Sequence, residues 1–196
     1  FDGRTWRSRI QQEKVSPGGT ATESTVRYTV TLEPHNKPWL FALEMPLAPP
    51  SGAIVSREYQ VLSKTPVRSR LRYDMQSHIG FVPGADEAET VLRRHLDLPG
   101  NNPRTRALAE QWRREAAQDE AVIRRMLDHF RMEQFFYTLT PPLLGENSID
   151  QFLFETRRGF CDHYASAFVF AMRAAGIPAR VVTGYQGGER NPVDGY

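Results

Sequence analysis

Cysteine is almost absent from this sequence. Its 196 residues include a single one, Cys161, which excludes an internal disulfide and any zinc site built from several thiolates. No pair of carboxylates and no histidine–aspartate group has the spacing of metal ligands, and no glycine-rich loop joins a strand to a helix as in phosphate-binding motifs. We therefore expect no metal ion and no other cofactor.

An excess of charge of one sign is also missing. The 25 basic and 23 acidic residues leave a net charge of +2, which is too balanced to predict binding to nucleic acid. Three of the basic residues are lysines and the other 22 are arginines, scattered along the chain as is typical of a GC-rich genome. We interpret Arg68, Arg70 and Arg72 as the solvated face of one strand, in preference to a site for an anionic partner. No nucleic-acid partner is expected.

Long apolar runs are lacking as well. The longest candidate, residues 168–172, ends at Arg173 and is far shorter than the roughly 20 residues that cross a membrane as a helix. The sequence shows no signal peptide and begins at Phe1 rather than at methionine. Since hydrophobic residues make up 40% of the chain, it has enough of them for a core. We expect a soluble piece of a longer protein, with one large or two small domains.

Residues 1–84 have the pattern of short β-strands. Apolar and polar residues alternate between residues 25 and 32 and again between 67 and 75, and residues 39–45 form an aromatic and apolar run. The alternation predicts two sets of inward-facing residues: Val26, Tyr28, Val30 and Leu32 in the first run, and Val67, Leu71, Tyr73 and Met75 in the last. Turn-forming prolines and glycines separate the runs, so we predict a small antiparallel sandwich.

From residue 86 the hydrophobic period becomes helical. Five helices are predicted: a short one that ends before Pro99, one capped by Asn102 with Pro103 in first position, one capped by Asp119, one capped by Ser148, and one from near Cys161 to Gly176. A closing strand is predicted over residues 180–185. The fold class is therefore α+β, with a β-rich, sandwich-like domain over residues 1–84 and an α+β domain over residues 85–196.

The most informative segment surrounds Cys161. Gly159 precedes the thiol, which lies in the first turn of the last predicted helix, where free backbone N–H groups and the helix dipole favour an anion. Such a position lowers the pKa of a cysteine and raises the fraction of thiolate, the form that attacks carbonyl carbon. Arg157 and Arg158 are expected to add to this effect and Asp162 to oppose it. The helix that follows is apolar nearly all round, which predicts that it is buried and holds the thiol at the edge of a cleft.

Taken alone, these residues leave the role of Cys161 open, because a lone cysteine at a helix start is more often a small buried hydrophobe than a nucleophile. Trp112, Phe136 and Tyr137 either line a cleft beside it or belong to the core, which is the commoner place for such aromatic residues. Arg180 is predicted to pair with an acidic residue in the core.

A nucleophilic cysteine also needs a base, and none of the five histidines is predicted to supply it. His163 lies about 200° from the thiol around the helix, so its ring is expected to point away from the sulfur. His129 is predicted to be a surface or helix-end residue. His35, His78 and His95 have no acidic partner at a suggestive spacing.

Two motifs with their spacing intact resemble the core of the transglutaminase-like superfamily. The first is Gly159-x-Cys161-x-x-Tyr164-Ala165, and the second runs from residue 172 through Gly-Ile-Pro-Ala-Arg to residue 185. The resemblance covers residues 148–185 and implies that Cys161 opens the central helix of a partial papain-like or transglutaminase-like α+β core. Residues 152–168 and 184–189 are similar, more narrowly, to the extracytoplasmic segment of bacterial membrane-anchored protein-glutamine gamma-glutamyltransferases.

The resemblance implies thiol-dependent acyl transfer with Cys161 as the catalytic residue. The thiol would attack the side-chain amide of a protein or peptide glutamine and form a thioester, which an amine acceptor, typically a lysine, resolves. In the family, the histidine base and the acid that orients it come from later strands. The chain stops at Tyr196 before either position, so we expect both beyond residue 196 and expect this fragment alone to be inactive.

Two other interpretations stay open at this point. A cysteine peptidase or amidase on the same scaffold would differ only in the accepting nucleophile, and a non-catalytic binding module would carry the cysteine as a relic. The resemblance also implies a bacterial inner-membrane protein whose membrane spans lie outside this chain, with this segment in the periplasm. A single unpaired cysteine is compatible with that oxidising compartment.

Overall fold

The computed structural model describes residues 5, 25–56, 59–79, 87–184, 187–190 and 192–193. Contacts divide the chain into two units, one formed by residues 8–88 and the other by residues 1–7 together with 89–196. The domain boundary predicted at residues 84–85 lies outside the described residues.

The N-terminal unit consists of two small antiparallel sheets. Its strands are β1 (Thr25–Leu32), β2 (Trp39–Leu40), β3 (Met45–Pro46), β4 (Ala53–Val55), β5 (Val61–Ser63) and β6 (Leu71–His78). One sheet has the order β1-β6-β3 and the other β2-β5-β4. The alternation is confirmed in β1 and in β6 from Leu71 to Met75, because the residues predicted to face inward are the less exposed ones. The earlier part of the second run is wrong, since Val67, Arg68 and Arg70 precede β6 and are not in a strand. Apolar side chains from the two sheets form one core.

The run over residues 39–45 was predicted to form one strand, and this prediction is wrong. The run contains β2 and the first residue of β3, which belong to different sheets. Between them the backbone bonds to side chains of the first sheet. Tyr73 Oη accepts a hydrogen bond from the backbone N–H of Phe41 and donates one to its carbonyl oxygen, both at 2.8 Å. Ser77 Oγ donates to the carbonyl oxygen of Leu43 at 2.9 Å. Residue composition does not reveal such bonds, since it shows which side chains are apolar and not where backbone groups bond.

The C-terminal unit is mainly helical. Its elements are α1 (Glu89–Arg94), α2 (Pro103–Glu115), α3 (Asp119–Met132), β7 (Phe136–Tyr137), α4 (Ser148–Gln151), a π-helical turn (Phe152–Thr156), β8 (Arg158–Gly159) and α5 (Cys161–Ala174). The helices α2, α3 and α4 all contact α5. Within the described residues no helix has the length and apolar composition needed to cross a membrane.

Asn102 occupies the N-cap position of α2 and Pro103 is the first residue of the helix, as predicted, but the Asn102 side chain makes no capping hydrogen bond to α2. Its backbone is left-handed (φ 57°), and its Oδ1 accepts hydrogen bonds from the N–H groups of Ile149 and Asp150 at 3.0 and 3.2 Å, at the start of α4. Asp150 in turn accepts from the N–H groups of Arg104 and Thr105 at 2.9 and 2.7 Å, at the start of α2. The two helices therefore cap each other through residues that are distant in the sequence.

Asp119 and Ser148 are the first residues of their helices rather than the caps, so these two predictions are also wrong. The capping positions are Gln118 and Asn147. Asp119 Oδ1 accepts a hydrogen bond from Arg113 Nη2 at 2.6 Å, which joins the start of α3 to the end of α2. The carboxylate thus bonds to a guanidinium instead of to the free N–H groups of its own helix.

The end of α5 is confirmed at Gly176. This glycine has a φ of +77° and its N–H donates to the carbonyl oxygen of Arg173 at 3.0 Å, an arrangement typical of helix C-termini. The closing strand predicted over residues 180–185 is wrong for residues 180–184, which are not in a strand, and Tyr185 lies outside the described residues. A strand needs a neighbouring segment with which its backbone can form hydrogen bonds. This segment is not packed against the rest of the unit at Val182, whose side chain is 81% exposed.

Candidate active site

The thiol stands at the start of the central helix. Cys161 is the first residue of α5 and is exposed, as predicted. Phe160 precedes it with an extended backbone, and its carbonyl oxygen accepts a hydrogen bond from the N–H of His163 at 2.9 Å. The remaining N–H groups of the first turn lie at the same end of the helix as the thiol. This position leaves the sulfur accessible.

Beyond its first turns, α5 is buried. The residues that α5 contributes to the hydrophobic core are Ala167, Phe170, Ala171 and Met172, and α2 and α3 contribute Ala109, Trp112, Val122 and Met126. Phe152 and Leu153, from the π-helical turn, complete the packing near the start of α5. Since core side chains pack at crystal-like density, the helix holds the thiol on a rigid base.

A buried arginine fixes the far end of α5. Arg173 is 9% exposed, and its guanidinium donates to the backbone carbonyl oxygens of Ala179 and Asp97 at 2.7 and 3.0 Å. Burial lowers the pKa of Arg173, while the charge of Asp97 opposes this effect. From the sequence, Arg173 was interpreted only as the end of an apolar run. A charge within an otherwise apolar helix was the available signal for this structural role.

A short parallel ladder holds the segment that leads into the thiol. The N–H of Phe136 donates to the carbonyl oxygen of Arg157, and the N–H of Thr138 to that of Gly159, both at 2.8 Å. These bonds join β7 to β8, which ends two residues before Cys161. The backbone before the nucleophile candidate is therefore bonded to a second segment of the chain.

Arg157 is engaged in this support. Its backbone is left-handed (φ 51°), and its Nη1 lies 2.7 Å from Glu133 Oε2. The guanidinium also lies over the ring of Phe135, 6.0 Å from the centroid. The charge of Arg157 is thus paired with the carboxylate of Glu133 at the end of α3. The prediction from the sequence was different, namely that this charge would favour the thiolate of Cys161.

Aromatic rings pack behind the start of α5. The ring of Tyr164 lies 5.1 Å from those of Phe130 and Phe152, and Tyr137 stacks on it at 6.3 Å. Burial raises the pKa of Tyr164, and the neighbouring Tyr137 raises it further. Trp112, by contrast, belongs to the core.

Phe136 and Tyr137 are exposed, by 58% and 65% respectively. They lie on β7, whose partner β8 ends two residues before Cys161. The structure therefore separates the three aromatic residues that sequence analysis grouped, because Trp112 is core and the two residues of β7 are at the surface.

The histidines lie in different environments. His163 Nδ1 accepts a hydrogen bond from the N–H of Phe160 at 3.4 Å. His78 Nδ1 lies 3.3 Å from Thr25 Oγ1, and the ring of His35 stacks against Trp39 at 6.0 Å. His95 accepts a hydrogen bond at its backbone carbonyl from the N–H of residue 179.

His129 is in the last turn of α3, as predicted, and its side chain is partly buried. It packs against four aromatic rings: Trp112, Phe130, Phe135 and Phe154. Its Nε2 is buried without a hydrogen-bond partner, and burial lowers the pKa of the ring. The cluster could not be predicted from the helix pattern, because three of its four rings come from residues outside α3. In the part of the chain that the structure describes, no three His, Cys, Asp or Glu residues form a group that could hold a metal ion.

Known proteins share this arrangement. The sequence matches the family model described as the TgpA N-terminal domain over residues 1–83, and that of the transglutaminase-like superfamily over residues 106–195. The structure matches the crystal structure of the periplasmic domain of TgpA from Pseudomonas aeruginosa bound to ethylmercury. The TM-score is 0.90 and the identity 41%, over 98% of this chain and 69% of that one. The chain belongs to the transglutaminase-like superfamily.

Full-length relatives of this transglutaminase-like chain are longer. The protein-glutamine gamma-glutamyltransferase of Pseudomonas aeruginosa is 40% identical over 205 residues, which cover 100% of this chain and 30% of that protein. The uncharacterized protein YebA of Bacillus subtilis is 38% identical over 107 residues, which cover 53% of this chain and 14% of that protein. The chain therefore spans about 30% of the length of the Pseudomonas relative. The family predicted from residues 148–185 is confirmed, and the role of Cys161 stays a prediction.

Proposed function

We propose that this chain is part of a protein-glutamine gamma-glutamyltransferase and that Cys161 is its nucleophile. One observation carries the proposal: the single thiol of a transglutaminase-like chain is exposed at the first position of a buried core helix. A nucleophile needs both rigid support and access to substrate, and this position supplies both. The 40% identity to a protein named for this activity supports the same assignment.

The proposed reaction has two steps. In the first, Sγ of Cys161 attacks the side-chain carbonyl carbon of a glutamine, the C–N bond breaks, and the nitrogen takes a proton and leaves as ammonia. In the second, the nitrogen of a primary amine attacks the thioester carbon, the C–S bond breaks, and the thiol is restored as the amide forms. Water in place of the amine would give glutamate.

We propose that the histidine base and its acidic partner follow residue 196 in the full protein. Two histidines near α5 are poor candidates for the base. The Nδ1 of His163 is occupied by a backbone N–H, and the ring of His129 is enclosed by other rings. A base must reach the proton that it removes, within about 3 Å.

We also propose that this segment lies in the periplasm and that the full protein is anchored in the bacterial inner membrane. The structural neighbour is a periplasmic domain, and the chain spans 30% of its curated relative. A membrane-impermeant maleimide added to intact spheroplasts should label Cys161. If labelling is the same in wild-type and Cys161→Ala cells, or requires lysis, this location is wrong.

The decisive experiment measures incorporation of a fluorescent primary amine into casein by the whole extracytoplasmic domain, including the residues after 196. Cys161→Ala and Cys161→Ser should each lower the rate by at least about 1,000-fold, since both remove the thiol proposed to form the thioester. His78→Ala, a substitution in the N-terminal unit, should leave the rate unchanged. Incorporation by Cys161→Ala at the wild-type rate would overturn the proposal.

Three further readouts separate the alternatives. Release of ammonia with formation of glutamate, but without amine incorporation, would identify a hydrolase. Equal amine incorporation by the 196-residue chain and the whole domain would overturn the position proposed for base and acid. Because thiolates are soft ligands for soft metals, the 196-residue chain should also take up one equivalent of ethylmercury at Cys161, detected by mass, and Cys161→Ala should take up none.

A further inference from the structure

We propose that His163 is a positioning residue that holds Cys161 in place through the backbone on both sides of the thiol. The inference depends on the proposed function for its turnover readout. The rate of thiol alkylation measures the same effect without a substrate, so the two proposals can fail separately.

A closed pair of hydrogen bonds surrounds Cys161. The N–H of Phe160 donates to His163 Nδ1 at 3.4 Å, and the N–H of His163 donates to the carbonyl oxygen of Phe160 at 2.9 Å. Cys161 lies between these two residues in the chain, so its backbone is held from both sides. This is the backward contact of a capping box, made here by a histidine in the position that glutamate or glutamine ordinarily takes.

The ring of His163 is also wedged against Gly159. A Cβ atom added to Gly159 would lie 2.7 Å from both Cβ and Cγ of His163 and 3.0 Å from the ring of Phe152. The His163 ring meets Phe160 edge to face at 4.6 Å and lies 5.5 Å from Phe152. Gly159 is therefore required by space, because any side chain there would displace the histidine that holds the start of α5.

These contacts assign His163 a positioning role and not that of the base. The Phe160 N–H is a donor, so Nδ1 of His163 accepts and carries no proton in this arrangement. A base that removed the proton of the thiol would have to face the sulfur, whereas Nδ1 is aimed at the backbone before it. His163 therefore affects the reaction indirectly. It fixes the backbone of Phe160, and that backbone determines the direction of the Cys161 side chain.

The expected consequence is a loss of rate without a loss of binding. Displacing a reacting group by about 1 Å lowers a rate by as much as about 100-fold. Removing the acceptor frees the N–H of Phe160 and lets the first turn of α5 shift, and the thiol shifts with it. Substrate contacts made elsewhere are untouched.

The test compares three variants of the whole extracytoplasmic domain. His163→Gln supplies a side-chain acceptor of capping-box type, His163→Met has similar length without a good acceptor, and His163→Ala removes both the acceptor and the packing. We expect kcat for amine incorporation to fall about 10-fold or more in His163→Met and His163→Ala, with KM changed less than about 3-fold. His163→Gln should recover to within about 3-fold of the wild type. The rate of Cys161 alkylation by iodoacetamide should follow the same order.

His78→Ala is the matched control, since it removes a histidine that makes a 3.3 Å hydrogen bond in the other unit. Equal kcat and alkylation rates in His163→Met and His163→Gln would overturn the proposal. So would a lower melting temperature with unchanged rates for the folded protein, because His163 would then be merely structural. If the alkylation order holds but the wild type incorporates no amine, the proposed function is wrong and the positioning role stands.

Discussion

Two helices of the C-terminal unit begin in opposite ways. α2 begins in the interior, where Asp150 of another helix accepts hydrogen bonds from two of its N–H groups and from the hydroxyl of Thr105. α5 begins at the surface with an exposed thiol, and the side chain at its start comes from its own third residue, His163. At both helix starts a side chain accepts a hydrogen bond from a backbone N–H group that has no partner within the helix.

The difference shows how one physical feature serves stability in one place and chemistry in another. Asp150 is 3% exposed, so its carboxylate fills the N-terminus of α2 and leaves no room for a ligand. At α5 the cap is made along the chain, and the end of the helix stays open beside Cys161. Substitutions at the two starts should therefore have different effects: only those at α5 should lower the rate of the reaction, whereas the largest losses of stability should come from those at α2.

The largest effect on stability is expected at the start of α2, which we call the closed start; the start of α5, beside Cys161, is the open start. Asp150→Ala removes the acceptor of three hydrogen bonds in the interior and should lower the free energy of unfolding by about 3 kcal/mol. Urea denaturation of the whole extracytoplasmic domain measures this change. Asp162→Ala is the matched control, because Asp162 is an exposed acid in the first turn of α5 and should change stability by at most about 0.5 kcal/mol. Equal losses in the two variants would remove the distinction between the helix starts.

A second effect at the same start should be somewhat smaller. Asn102→Ala removes the oxygen that accepts from two N–H groups of α4, and it places alanine at a φ of 57°, so a loss of about 2 kcal/mol is expected. Asn102→Gly loses the same bonds but tolerates this backbone, so it should be less destabilising by about 1 kcal/mol. Thermal denaturation of both variants gives the comparison. If glycine is as harmful as alanine, the left-handed backbone contributes nothing.

The closed start also shows what sequence analysis misses. Patterns that are local in the sequence were correct: the alternation in β1, the start of α5 at Cys161 and the glycine that follows its end each depend on residues close together in the chain. The partners of Asn102 are 47 and 48 residues away, and no local rule for caps relates them. The three-residue strands β4 and β5 were missed because so few residues do not establish a period.

At the candidate site, too, some features could be predicted from the sequence and others could not. The place of Cys161 at a helix start and the family follow from short motifs in the sequence. The contacts of its neighbours do not, because they depend on which groups meet in space. Gly159 belonged to the motif, but its reason, the close approach of His163, is visible only in three dimensions. The enclosed ring of His129 was missed for the same reason.

At the open start, Gly159→Ala should lower stability by about 1.5 kcal/mol, because the added methyl would lie 2.7 Å from His163. It should also lower kcat, since the displaced histidine no longer holds Phe160. Gly100→Ala is the matched control, as a Cβ there meets nothing within 4 Å. Denaturation and amine incorporation are measured on the same samples. A stable Gly159→Ala protein with wild-type kcat would show that the close contact at the open start has no influence on the thiol.

The smallest expected effect is a pH dependence of stability that comes from His129, whose ring packs behind the start of α5. Burial among four aromatic rings lowers the pKa of His129 below the usual value of about 6.5; the charge of Glu133 opposes this shift and that of Arg157 adds to it. The unfolded chain then binds the proton more readily than the folded one, so stability falls as the pH drops below about 6.5 and levels off below the lowered pKa. His129→Phe keeps a ring in the cluster without this titration. Its stability relative to the wild type should therefore rise between pH 7.5 and pH 5, as measured by urea denaturation at each pH. Parallel profiles for the two proteins would mean that the ring is protonated as easily in the folded state as in the unfolded one, and that the cluster behind α5 is open to water.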